Sequence, residues 1–207
     1  MTSRRIATAG LAVLITFLVS SPTRVEPRPK EYDSSEASRV YSALLSSRHF
    51  TYRADVGKYV IEAETMDSKY YAYFFGADLH SCFPKPGDLD LSDWQALRDL
   101  EEEAQIPRAM PKQLELKIRY ELVGRERLDA EIDENGVLWA GFKNRYPDSS
   151  GILSLSSVGF NERKDRALLF VSFVCGGLCG GADFWTLGKR DGTWAIIEPA
   201  SNCRILY

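Results

Sequence analysis

Apolar positions follow a helical period in several stretches before residue 150 and become strand-like beyond it. Between 34 and 47, Val40, Leu44 and Leu45 recur at helical spacing, and Ser34 or Ser35 can cap the first turn. Residues 59–65 (YVIEAET) read as a strand. A second helix is expected over 92–105, capped by Asp90 or Ser92, with Trp94, Leu97, Leu100 and Ala104 on one face and Pro107 as its stop. Its Glu101-Glu102-Glu103 run reads as a solvated face, because consecutive helical residues point in different directions. Residues 114–123 alternate Leu114, Leu116, Ile118 and Tyr120 with polar positions, the pattern of a half-buried strand. Between 128 and 146, Trp139, Phe142 and Tyr146 suit a short helix that carries an aromatic face to the core and ends at Pro147.

Beyond Gly151 the chain reads as four strands separated by turn signals. From Ala167 to Cys175 almost every residue is apolar, as in a strand covered on both faces. Asp191-Gly192, between residues 185–189 and 193–197, is a strong hairpin signal. This order of elements predicts an α+β fold: N-terminal helices packed on an antiparallel sheet, with a C-terminal four-stranded meander, in a single domain over 34–207.

The N-terminus has a different character. Arg4 and Arg5 precede an uncharged apolar run over 6–19, the pattern of a secretory signal and short for a membrane span. Residues 1–21 are therefore expected to act as a signal peptide or an N-terminal membrane anchor, and the proline-bearing stretch 22–33 as a linker. Either way the folded part is exported, to a periplasmic or extracellular location, and meets the membrane only through residues 6–19 if these are retained. Removing Arg4 and Arg5 moves the net charge from −3 to −5, and no basic patch with interleaved aromatics occurs, so nucleic acid is not an expected partner.

An exported chain with four cysteines points to disulfides. Cys175 and Cys179 flank a turn in which glycine permits the positive φ angles that bring two Cα atoms within bridging range. A Cys175–Cys179 bridge leaves Cys82 to pair with Cys203. A redox-active pair is not expected, because three residues separate the thiols and strands rather than a helix N-terminus flank them. A zinc site would need a second closely spaced pair, and Cys82 and Cys203 stand singly.

Residues 146–197 resemble a group of uncharacterised exported bacterial proteins. The likeness rests on Tyr146-Pro147, Gly151-Ile152, Leu155-Ser156, Val158-Gly159-Phe160-Asn161, Ala167-Leu168, Val171, the run Cys175 to Gly180, and Leu187, Lys189, Gly192 and Trp194. Ser157 departs from an arginine in that pattern, and the tail ending Cys203-Arg-Ile-Leu-Tyr207 departs from its tryptophan-rich close. The resemblance implies export and a shared fold, and carries no activity with it.

Candidate chemistry is sparse. His49 and His80 are the two histidines; His49 closes a helix beside Arg48, and His80 lies near a cysteine expected to be bonded. No nucleophile elbow, metalloprotease helix or phosphate loop occurs, so no catalytic, cofactor-binding or metal-binding residue is assigned. The aromatic run 70–75 is expected in the core or an interface. Asn161 is the one exposed candidate, with a turn-forming role as the plainer reading. The expected function is that of a non-catalytic exported module with a binding or structural role. Its candidate binding turn comprises Gly176, Gly177, Leu178, Gly180, Gly181 and Asn161, and its partner would be a protein or a small molecule. The alternative is a hydrolase whose site assembles only in three dimensions.

Overall fold

A computed structural model describes residues 32–50, 57–70, 82–83, 90–131, 139–199 and 205–206. Tyr32–Tyr207 cluster as one compact unit. The expected signal or anchor, most of the linker, residues 71–75 of the aromatic run, His80, Asn135-Gly136 and Cys203 lie outside the described residues.

The apolar run that begins at Ala167 sets the architecture. It forms β5 (Arg166–Gly176), which pairs antiparallel with β6 (Cys179–Arg190) from Arg166↔Gly188 to Gly176↔Cys179. The Asp191-Gly192 turn then leads into β7 (Thr193–Pro199), antiparallel to β6. Both turn residues have positive φ, 49° and 76°, as a tight two-residue hairpin with the right-handed strand twist requires. On the other side of β5 lie β3 (Ile152–Leu155) and the two-residue β4 (Gly159–Phe160), both antiparallel to it. The short β8 (Ile205–Leu206) pairs with β6 at Gly181 and Ala182.

The remaining two strands overturn the expected antiparallel sheet. β1 (Lys58–Glu62) runs parallel to β3, and β2 (Arg119–Val123) runs parallel to β1. The path β2-β1-β3-β5-β6-β7 is a mixed sheet that curls into a half-barrel. Parallel neighbours need a long crossover between them, and the chain from Glu62 to Arg119 supplies one. Side-chain alternation records which face a residue occupies but not strand direction, so it could not separate the two arrangements. β2 is also shorter than the alternating stretch 114–123. Its first half packs instead along a helix, where Ser42 Oγ accepts from the Glu115 amide at 2.9 Å and Ser38 Oγ donates to the Gln113 carbonyl at 2.8 Å.

Nor do the helices form an N-terminal layer. α1 (Ser34–Ser46) packs on one face of the sheet, where Val40, Tyr41, Leu44 and Leu45 meet Leu153, Leu155, Leu169, Trp185 and Leu187 in the largest buried cluster. α2 (Leu91–Glu103) lies on the opposite face, with Ala96, Leu97 and Leu100 against Leu168, Phe170 and Phe184. That same face is covered further along by α3 (Arg125–Glu131) and α4 (Trp139–Arg145), which bring Leu128, Trp139 and Phe142 onto Val60, Val123 and Ile152. β5 is therefore buried on both faces over 167–171, as its nearly continuous apolar run predicts.

The cap of α1 is Asp33, one residue before the expected serines, and the cap of α2 is Asp90, one of the two expected residues. Asp33 accepts from the Glu36 amide at 3.1 Å, and Asp90 accepts from the Ser92 amide at 2.9 Å. A carboxylate at the helix start adds its interaction with the macrodipole to the capping bond. The acidic run on α2 is not uniformly solvated: Glu103 is only 6% exposed and is held by Arg108 at 2.6 Å.

Close approach of α2 to the sheet depends on Gly159. A Cβ there would collide with the Ala96 carbonyl oxygen and the Leu100 amide nitrogen, both rigid helix backbone. A Cβ at Gly176 would meet nothing nearer than the Cys179 Cβ at 3.7 Å, an ordinary contact. In urea denaturation, Gly159→Ala is expected to cost about 3 kcal/mol or more, and Gly176→Ala less than about 0.5 kcal/mol. Equal effects of the two substitutions would show that α2 packing does not limit stability.

Candidate functional site

The glycine–cysteine turn is the tip of the β5–β6 hairpin. Cys175 and Cys179 are disulfide-bonded to each other with Cα atoms 5.1 Å apart, as the sequence predicts. Positive φ among the described residues falls at Lys164, Asp191 and Gly192, so this turn closes without the glycine φ angles expected of it. Gly177, Leu178 and Cys179 are exposed, Gly176 and Gly180 half-buried, and Gly181 buried in the ladder opposite Phe173. Leu178 is 92% exposed, an uncovered apolar side chain at the end of a covalently clamped hairpin.

Cys82 is disulfide-bonded too and fully buried; Cys203, its expected partner, lies outside the described residues. With Cys82, Cys175 and Cys179 all engaged as disulfides, none of these three is a thiolate available to a metal.

Asn161 does not join the tip. It is 2% exposed, which corrects the expectation of an exposed residue. Its Oδ1 accepts from the Asp165 and Arg166 amides, each at 3.0 Å, and its Nδ2 donates to Asp165 Oδ1 at 2.7 Å. The side chain thereby staples the turn from β4 into β5, and Lys164 takes a positive φ of 52° inside it. His49 is exposed beside Arg48, whose Nε donates to it at 3.3 Å.

A second locus escaped the sequence reading. Glu36, in the first turn of α1, accepts at Oε1 from Lys189 Nζ and from Trp194 Nε1, each at 2.6 Å. Its Oε2 accepts from Arg39 at 3.0 Å, and Arg39 also donates to the Gly192 carbonyl at 2.5 Å. Lys189 lies 5.4 Å from the centre of the Trp194 ring. The motif residues Lys189, Gly192 and Trp194 thus hold the start of α1 against the β6–β7 turn. Beside this latch runs an open groove of about 350 Å³, walled by Arg39, Ser42 and Ser46 of α1 and by Glu115, Thr193 and Trp194. The signal for Glu36 was an acidic residue in a helix's first turn, but a first-turn carboxylate is so common that nothing singled it out.

Two carboxylates among the described residues have raised pKa values. Burial raises Glu62, opposed by the Ser154 hydroxyl and by Arg125, which lies at 2.7 Å. Burial also raises Asp93, opposed by Arg166 at 3.5 Å. They sit on β1 and α2, each beside its own arginine. Among the described residues no helix is long and apolar enough to cross a membrane. No family model, curated protein or solved structure matches this chain.

The α1 latch has a pH signature. The hydrogen bond from Lys164 holds Asp33 down to about 2, below its ordinary 3.8. Burial would raise Glu36, but the bonds from Lys189 and Trp194 outweigh it and hold the group below its ordinary 4.5. Depressed carboxylates contribute stability that is present above their unfolded pKa values and lost as pH falls through the folded ones. Stability is therefore expected to decline as pH drops below 4.5 towards about 2. An Asp33→Asn/Glu36→Gln double substitution is expected to flatten that decline in urea midpoints measured across pH. A slope identical to that of the unsubstituted chain would place the acid sensitivity elsewhere.

Proposed function

We propose that the folded unit is an exported, non-catalytic binding module that presents the Cys175–Cys179 hairpin tip to a protein or small-molecule partner. The observation that carries this reading is Leu178, 92% exposed on a tip whose two strands are tied together by a disulfide. An apolar side chain projecting from a rigid hairpin gives up little conformational entropy when it is covered, which favours a contact residue. The hairpin is itself rooted in the most deeply buried strands of the molecule, so the tip is held from a rigid base.

Export is part of the proposal. It rests on the basic and apolar pattern of residues 4–19, on the cysteines held as disulfides, and on the resemblance of residues 146–197 to exported bacterial proteins. Retention of residues 6–19 would tether the module to the membrane; cleavage would release it.

A photo-crosslinking residue placed at position 178 of the exported chain tests the reading in the native compartment. A discrete adduct is expected from position 178 and not from position 106, where Ile106 is also exposed, at 65%, but lies away from the tip. Leu178→Asp is expected to weaken capture by the partner about tenfold or more, with the thermal midpoint unchanged. Equal crosslinking from positions 178 and 106 would remove the tip as the contact surface.

A further inference from the structure

We propose that the Cys175–Cys179 bridge is a thiol–disulfide exchange site, opened by a dithiol reductant while the fold and the bridge at Cys82 stay intact. The inference goes beyond the binding role and does not require it. Three observations carry it. Cys179 is exposed and Cys175 half-buried, whereas Cys82 is fully buried among Phe83, Phe184 and the α2 face, so an incoming thiolate can reach the Cys179 sulfur and not that of Cys82. Cys175 falls in a shift of register between Val174↔Gly180 and Gly176↔Cys179 and has no cross-strand partner, so opening the bridge touches at most the terminal Gly176↔Cys179 pair. The bridge closes a loop of sequence separation 4, and so short a loop restricts the unfolded chain little.

The step balances with the dithiol as the sole reductant. One of its thiolates attacks the Cys179 sulfur, the protein S–S bond breaks, and Cys175 leaves as a thiolate. The second thiol of the reagent then attacks the mixed disulfide, closes its own disulfide and releases Cys179. Two electrons and two protons pass from the reagent to the protein, which gains two thiols. Both sulfurs are carried by strands, β5 and β6, and not by the first turn of a helix, so the attacking thiolate belongs to the reagent and the protein is the disulfide partner. Opened, the tip keeps its strand pairing up to Val174↔Gly180 but loses the covalent tie that holds Leu178 in place.

The test uses the oxidised full-length chain in graded dithiothreitol at mildly alkaline pH, with iodoacetamide trapping, peptide mapping and near-ultraviolet circular dichroism on the same samples. Cys175 and Cys179 are expected to carry the label at a reductant concentration about tenfold below that needed to label Cys82, with the dichroism unchanged. Labelling of Cys82 together with the pair, or loss of the tertiary signal as the pair opens, would overturn the proposal. A Cys175→Ala/Cys179→Ala variant supplies the second measurement. It is expected to fold with the dichroism of the oxidised parent, and failure to fold would show the bridge to be structural and refute an exchange role.

Discussion

A strand that is apolar on both faces must be covered twice, and β5 imposes that requirement on everything around it. Ala167, Leu169 and Val171 point to one side, Leu168 and Phe170 to the other. Neither the hairpin partner β6 nor any other strand can cover them, because strands in one sheet lie beside each other rather than over each other. The cover comes from helices brought in from distant parts of the chain: α1 on one face, α2 on the other. The crossover that carries the chain from β1 to β2 passes through α2, which is why β1 and β2 end up parallel. The mixed sheet is thus a consequence of double coverage rather than an exception to it.

Burial on this scale leaves polar groups to be satisfied, and several are met by partners distant in the chain. Ser156 is fully buried, yet its backbone bonds to Phe170, its hydroxyl accepts from the Phe170 amide at 2.8 Å, and its carbonyl accepts from the Tyr41 hydroxyl at 2.7 Å. α1 is tied to the sheet through that Tyr41 bond and again through the Glu36 latch. Buried or half-buried charges are paired: Glu36 with Lys189, Glu62 with Arg125, Glu103 with Arg108. Leaving any of these partners unmade would expose the cost of burying a charge alone. The resemblance motif is instructive in this light, since Asn161, Lys189, Gly192 and Trp194 all serve turns or the latch. They hold the shape, and the exposed positions of the tip are free to serve contact.

The tip is the counterpoint to this interior. Its strands are buried a few residues back, its bridge ties the last turn, and its leucine is 92% exposed. The central strands have most of their apolar side chains covered, while Leu178 at the tip is left exposed.

By itself the sequence determined what depends on near neighbours. The Asp191-Gly192 hairpin follows from two residues that accept positive φ, the Cys175–Cys179 bridge from two thiols four positions apart, and the double burial of β5 from an apolar run with no polar phase. Even the helix starts were legible to within a residue, although Asp33 and not a serine caps α1. Only the tertiary structure decided the direction of β1 and β2, because side-chain alternation is the same for parallel and antiparallel strands. It also decided that Asn161 is interior, that Glu103 breaks ranks with its acidic neighbours, and that Glu36 meets Lys189 and Trp194 from the far end of the chain. Each of these depends on a partner more than about four residues away or on a covering element. Local pattern carries no information about which distant group will be opposite, since that is settled by how the faces of β5 are covered.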